Sequence, residues 1–195
     1  MGKSKLKKSL GIGNACFPAP IAMVVVGSEE DYNVVTVALV GLVNCNPPML
    51  SFTLAKSRHS CNYLKTNKQV TINFTSTANM KQVDFCGLVS GKDVNKFEKA
   101  ELTPKFLKKG SVPIIDECCF HYIGEVVKEI EFESMNMYIV KIDDILVDEN
   151  KINRNGNIDM KEMELLIYCT AIREYWSFGE KIGNGYEEGK FLNND

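Results

Sequence analysis

Only two histidines and no Cys-x-x-Cys pair occur in these 195 residues. His59 and His121 are too few for a histidine-rich metal site, and no spacing to a cysteine supports a mixed one. The seven cysteines (Cys16, Cys45, Cys61, Cys86, Cys118, Cys119 and Cys169) are odd in number and irregularly spaced. That pattern suits neither a disulfide framework nor a zinc ribbon or thioredoxin motif. It reads as small core residues in a reduced, cytoplasmic protein. A charge excess is lacking too: 23 Lys+Arg against 25 Asp+Glu leave -2, without the basic footprint of a nucleic-acid binder. No apolar run is long enough to span a bilayer. The basic start (Lys3, Lys5, Lys7, Lys8) leads into a glycine-rich stretch rather than a signal-peptide core, and reads as a solvated arm over 1–16. There is no internal repeat and no low-complexity linker. The length suits one domain, taken here as 17–183 with a tail over 184–195.

Several familiar motifs also fail. Gly11-Ile12-Gly13 lacks its third glycine and a preceding strand, and Gly183-Asn184-Gly185 meets its next glycine one position late, so neither opens a dinucleotide-binding unit. Asn153, Asn155, Gly156, Ile158 and Glu162 fall at EF-hand-like offsets. The first ligand position is Lys151, a cation that repels calcium, and a hairpin turn at Asn155-Gly156 explains the pattern better.

What the chain does have is strand signal. Ile21 to Gly27 is a continuous valine-rich run, the mark of a buried strand, and Val34 to Val43 completes a hairpin with it. Asn46-Pro47-Pro48 is a turn, and Met49 to Leu54 alternates as a third strand. Val70, Ile72 and Phe74 alternate with Thr71 and Asn73. Cys118 to Glu131 and Met137 to Val147 are long and rich in β-branched residues. Short helices are predicted within Ser57–Lys68, Asn79–Cys86 and Ser90–Ala100, and Met160–Tyr168 is a short helix or extended. Tyr175, Trp176, Phe178 and Tyr186 imply that the C-terminal stretch packs on the body. Strands outnumber helices, which favours a barrel with peripheral helices over a doubly wound sheet.

Two segments have the chemistry of an anion site. Lys56-Ser57-Arg58-His59-Ser60 lies between a strand and a predicted helix, where free N–H groups, two hydroxyls and a planar guanidinium could hold a phosphate. Ordinary N-capping by Ser57 is the competing explanation. Ser90-Gly91-Lys92-Asp93 opens the next helix, with a glycine that permits close backbone approach and a lysine to neutralise charge. Its plainer alternative is a helix-start loop. The strand residues Thr36-Val37-Ala38, beside Asn44-Cys45-Asn46, are small or polar enough for a flat ring to lie against the backbone.

In order, these pieces resemble a known family. They are Thr36-Val37-Ala38, Asn44-Cys45-Asn46-Pro47-Pro48, Ser57-Arg58-His59-Ser60, Val70-Thr71-Ile72-Asn73, Asp84-Phe85-Cys86-Gly87, Ser90 to Phe97, Asn155 to Asp159 and Gly179. From about Phe17 to Gly183 the chain resembles the flavin-reductase-like FMN-binding split barrels, the flavoredoxin type in particular. The resemblance implies a mainly β fold, a six-stranded Greek-key split barrel with short peripheral helices, forming a homodimer with FMN near the subunit interface. It implies that Thr36, Val37 and Ala38 line the flavin, that Asn44 and Cys45 lie near the ring, and that Asn73 and Cys86 are further pocket residues. Ser57, Arg58, His59 and Ser60, with Ser90 and Lys92, would gather around the phosphate. The expected activity is an NAD(P)H-dependent flavin reductase, with NADH or NADPH as donor. The alternatives are an electron carrier with tightly bound FMN serving a redox partner protein, and a non-catalytic flavin-binding dimer. A colourless anion-binding module is the reading outside the family. No membrane or nucleic-acid partner is expected, and no catalytic side chain is assigned, because hydride chemistry belongs to the flavin. The chain departs from many relatives at Ser134-Met135, where they carry Ser-His, at Val140, where they carry Gly, and at Leu39, where they carry Trp. The missing histidine bears on nicotinamide turnover more than on FMN binding.

Overall fold

The computed structural model describes residues 7–9, 11 and 17–193. The predicted arm, with Cys16 and the first glycine pair, lies mostly outside that range. Twelve strands and three short α-helices follow in order: β1 (Pro18–Pro20), β2 (Ala22–Gly27), β3 (Tyr32–Val37), β4 (Val40–Cys45), β5 (Pro48–Ala55), α1 (Ser60–Thr66), β6 (Gln69–Phe74), α2 (Met80–Leu88), α3 (Lys96–Lys99), β7 (Pro104–Lys105), β8 (Ile114–Ile115), β9 (Phe120–Glu131), β10 (Met135–Val147), β11 (Leu166–Cys169) and β12 (Glu174–Ser177).

The main sheet is antiparallel throughout, in the order β3-β2-β6-β9-β10-β5-β4. Its two outermost members, β3 and β4, are consecutive in the chain and separated by Ala38 and Leu39 alone. One bent stretch, 32–45, therefore pairs with β2 through its first half and with β5 through its second. Seven segments thus make six staves: the sheet rolls up and the bend joins its ends. The stretch expected as one strand over Val34–Val43 is this bent pair. A small sheet β1-β11-β12 and the short pair β7-β8 complete the strands. Met160–Tyr168 resolves as turn and strand rather than helix.

Strand alternation sorts the side chains into two cores. Val24 and Val26, Val35 and Val37, Leu50, Phe52 and Leu54, Ile72 and Phe74, and Tyr138 and Val140 point into the barrel. Met23, Val25 and Val34 point outward and are covered by Val83 and Cys86 of α2, Phe97 of α3, Ile115 and Leu166. Because β2 is covered on both faces, it reads as an unbroken valine run rather than an alternating one. Of the C-terminal aromatics, Tyr175 packs on this outer core beside Tyr168, with ring centroids 5.0 Å apart. Trp176, Phe178 and Tyr186 are exposed, so the expectation that they pack is corrected: β12 ends the small sheet and leaves them no partner layer.

Phe52 is fully buried and stacks on Tyr138 at 5.2 Å across the barrel interior. Phe52→Ala is expected to cost ~3–5 kcal/mol in urea-induced unfolding. A loss below about 1 kcal/mol would contradict the interior placement.

Candidate functional site

The turn after β5 and the loop after α2 come together at the first half of the bent strand. Between them lies a cleft of about 320 Å³ lined by Asn33, Ser57, Arg58, His59, Ser60, Ser90, Gly91 and Lys96, with Val35, Ala55, Leu88 and Val89 as apolar walls. Both anion-site candidates therefore meet in one place. The lining has two strong cations and three hydroxyl-bearing serines but no carboxylate. That donor set fits a phosphate group.

Helix dipoles contribute little here. α1 begins only at Ser60 and has seven residues, and α3 has four. His59, not Ser57, occupies the N-cap position of α1, and no side chain caps it. Ser57 is thus free of the capping role that competed with anion binding. Arg58 is held in place by its Nη1, which donates to the Gly87 carbonyl at 2.8 Å and ties the β5–α1 turn to the end of α2. His59 sits edge-on to Tyr63, with centroids 5.4 Å apart.

Asn33 joins the two loops. Its buried Nδ2 donates to Ser60 Oγ at 2.8 Å. Gly91 lies directly against the same amide: a Cβ there would stand 2.1 Å from Asn33 Oδ1. A side chain at position 91 would have to displace this amide, and Asn33 went unassigned at the sequence level because a polar residue in a strand carries no spacing signal.

Lys96 was likewise missed as a site residue. It is 4% exposed. Its ammonium donates to the Val34 carbonyl at 2.9 Å and the Cys86 carbonyl at 2.7 Å. Burial lowers its pKa to about 8; the Cys86 thiol pulls it back up and Arg58 pushes it down further. In sequence, Lys96 is one lysine among several in a polar stretch, and only its place directly before the core residue Phe97 hints at burial.

The other expected site residues are placed elsewhere. Lys92 faces an adjoining recess with Glu30, Asp31 and Asp93 rather than the cleft. Thr36 points outward and donates to the Val83 carbonyl at 2.6 Å. Val37 points into the barrel. Ala38 lines an apolar groove of about 480 Å³ with Phe17, Leu39, Val40, Gly41, Thr53, Phe132, Met135 and Met137. Asn44 and Cys45 are exposed at the end of β4, Asn44 donating to the Pro47 carbonyl at 2.7 Å. Asn73 does not reach the cleft. On β6, residues 70, 72 and 74 face inward and 71 and 73 outward, where Asn73 donates to the Met23 carbonyl at 2.9 Å and meets His121 Nδ1 at 2.8 Å. Burial lowers the His121 pKa, with Asp148 opposing. Cys86 is fully buried on the inner face of α2, where burial raises its thiol to about 11. Only its carbonyl bears on the site, through Lys96.

The cleft and the apolar groove lie along the same bent strand. Val35 borders the first and Leu39 the second, four residues or ~13 Å of strand apart. Ala55 and Thr53 of β5 repeat the arrangement. Met135 and Met137 stand opposite Ala55 and Thr53 in the ladder. The polar cleft and the apolar groove are thus separate recesses that border the same two strands.

Residues 14–173 match the model of the flavin reductase like domain. Among solved structures, the chain is similar to the flavoredoxin of Desulfovibrio vulgaris (Miyazaki F) at 25% identity and a TM-score of 0.88, covering 94% of this chain and 100% of that one. It is similar to the flavoredoxin from Methanosarcina acetivorans at 29% identity and a TM-score of 0.84, covering 95% and 100%. An FMN-binding protein from Thermus thermophilus with bound 1-cyclohex-2-enone shares the fold at 18% identity, TM-score 0.75, with 94% and 99% covered. The split-barrel expectation is confirmed by these likenesses.

Two outcomes test the geometry. Gly91→Ala has to displace the Asn33 amide and break its bond to Ser60, with an expected loss of ~1–3 kcal/mol in thermal or urea unfolding. An unchanged melting temperature would show that the loop is not packed as described. Lys96 sets a pH dependence whose sign is fixed. Between pH 8 and about 10.5 the unfolded chain holds the lysine proton and the folded chain does not, so stability rises with pH there. Compared with Lys96→Gln, the wild type is expected to gain stability across this window; a flat difference would contradict the burial.

Proposed function

From the premise that the chain belongs to the flavin reductase like family, we propose that it binds FMN and works as a redox protein. The observation that carries this reading is the cleft itself: cations and hydroxyls converge on one recess without a carboxylate, and a separate apolar groove borders the same bent strand. Ser57, Arg58, Ser60 and Ser90 would hold the phosphate, with His59 at the rim and Lys92 at the adjoining mouth. The flavin ring would lie toward Ala38, past Thr36 and Val37, with Asn44 and Cys45 at the far end of the bent strand. Bound FMN would supply the hydride and electron chemistry. The chain's own part is to fix the phosphate, exclude water from one ring face with Leu39, Met135 and Met137, and offer backbone N–H groups.

NADH or NADPH is the proposed donor in the reductase reading. A second reading, an electron carrier with tightly bound FMN, is favoured by one observation. Met135 lines the groove where many relatives carry histidine, so the groove has no titratable side chain from β10. The exposed apolar residues Leu39, Leu42 and Val43 on and beside β4 support a homodimer, since an edge of that kind is costly in water. The five thiols Cys45, Cys61, Cys86, Cys118 and Cys119 stand outside any disulfide, which supports a reducing, cytoplasmic location.

Anaerobic titration of the FMN-loaded protein with NADH and NADPH, followed by flavin absorbance, separates the readings. Rapid bleaching by either nicotinamide supports the reductase. Bleaching only by a reduced protein donor supports the carrier. A protein that stays colourless after addition of FMN would sink both.

A further inference from the structure

Lys96 is a buried cation without a counter-ion. The ion pairs among the described residues are Lys56–Glu131, Lys105–Asp116, Lys141–Asp143 and Lys190–Glu187, all with partly exposed partners. None involves Lys96. Two of its three N–H donors go to the Val34 and Cys86 carbonyls. Its side chain nonetheless lines the cleft, beside the guanidinium of Arg58. A buried charge is ordinarily paired or neutralised, because desolvation is costly. Within the cleft two cations stand together and no carboxylate lines it; Lys96 also borders the adjoining recess with Glu30, Asp31 and Asp93, so an anion facing the cleft side is left for a ligand to supply. Carbonyls from β3 and α2 fix the ammonium on two sides and leave its third donor as the remaining one.

We propose that Lys96, rather than Lys92, is the cation that makes this site select a phosphorylated flavin over its unphosphorylated counterpart. The inference rests on the flavin reading above. Lys92 is exposed and shares its recess with Glu30, Asp31 and Asp93, which offset its charge for an incoming anion. Lys96 borders that recess as well, but of the two lysines it alone also lines the carboxylate-free cleft beside Arg58. It is also rigid, so little side-chain entropy is lost on binding, whereas an exposed lysine has to be ordered first.

The test is equilibrium binding of FMN and of riboflavin to the full chain, read by quenching of flavin fluorescence. Lys96→Gln keeps a donor for the carbonyls but removes the charge; Lys96→Arg keeps the charge. Lys99→Met, on the exposed side of α3, controls for net charge. The wild type is expected to prefer FMN, and Lys96→Gln to weaken FMN about tenfold to a hundredfold while riboflavin changes less than about threefold. Lys96→Arg should retain more of the preference than Lys96→Gln, and Lys99→Met all of it. An unchanged FMN-to-riboflavin ratio in folded Lys96→Gln overturns the proposal, as does a loss that follows Lys92→Met instead. Should Lys96→Gln not fold, Lys96→Arg and Lys92→Met decide: a preference kept in both folded variants supports the proposal, and a preference lost in either overturns it. If the wild type binds neither flavin, the flavin reading itself falls.

Discussion

Antiparallel pairing at both ends of one ladder makes residues 32–45 serve two neighbours. Their first half is bonded to β2 and their second to β5, so the strand has to bend at Ala38 and Leu39. The direction of the bend is held from inside and outside. Val35 and Val37 are packed in the barrel, while the Thr36 hydroxyl is anchored to the Val83 carbonyl of α2. Everything at the candidate site hangs from this strand. Asn33 fixes Ser60 and touches Gly91, Val34 takes a hydrogen bond from Lys96, and Ala38 and Leu39 open the apolar groove. A shift of one residue in its register would turn Val35 and Val37 outward and move Asn33 away from both loops.

The parts of this fold that could be read from sequence are those where burial and period agree. β2, β5, β6, β9 and β10 all carry a strong alternating or continuous apolar signal, and each forms within a few residues of its expected span. The bend was hidden because neither glycine nor proline marks it; Ala38 and Leu39 are ordinary strand residues, and only the closure of the sheet breaks the strand there. The site was half legible. Ser57, Arg58, His59, Ser60 and Ser90 could be placed together because each stands at a loop with anion chemistry. Asn33 and Lys96 could not, since their role comes from contacts across 27 and 62 positions of sequence. Asn73 shows the opposite failure. It matches the family pattern, but strand parity sends its side chain to the outer face, where it joins β6 to the segment carrying Ile115 through the Ile115 N–H at 3.2 Å. There it has the geometry of a structural cross-link.

The polarity of the surface along the bent strand sets what kind of molecule it can take. A ligand that is charged throughout would leave Phe132, Met135 and Met137 in contact with ions; one that is apolar throughout would leave Arg58 and Lys96 unpaired. A molecule with an anionic end and a flat apolar end satisfies both at once. The same division explains why the cations sit at the first half of the strand. There α2 and its following loop supply carbonyls from Cys86 and Gly87 that hold Lys96 and Arg58. At the second half, β4 borders a groove whose lining holds no lysine or arginine.

That arrangement has an energetic consequence for the folded chain. Two cations near one another, one of them buried, destabilise the folded chain until an anion arrives, and the lowered pKa of Lys96 is the direct expression of that cost. The folded state accepts it because the barrel core, which shares Val35 with the wall of the cleft, is closed by the same strand that bears the site. Binding an anion would then relieve repulsion as well as add contacts, so stabilisation on binding should exceed what the new hydrogen bonds alone provide. Stability and recognition are therefore coupled through a single element. The bend closes the barrel, and the closed barrel holds Arg58 and Lys96 together at a cleft whose lining carries no carboxylate.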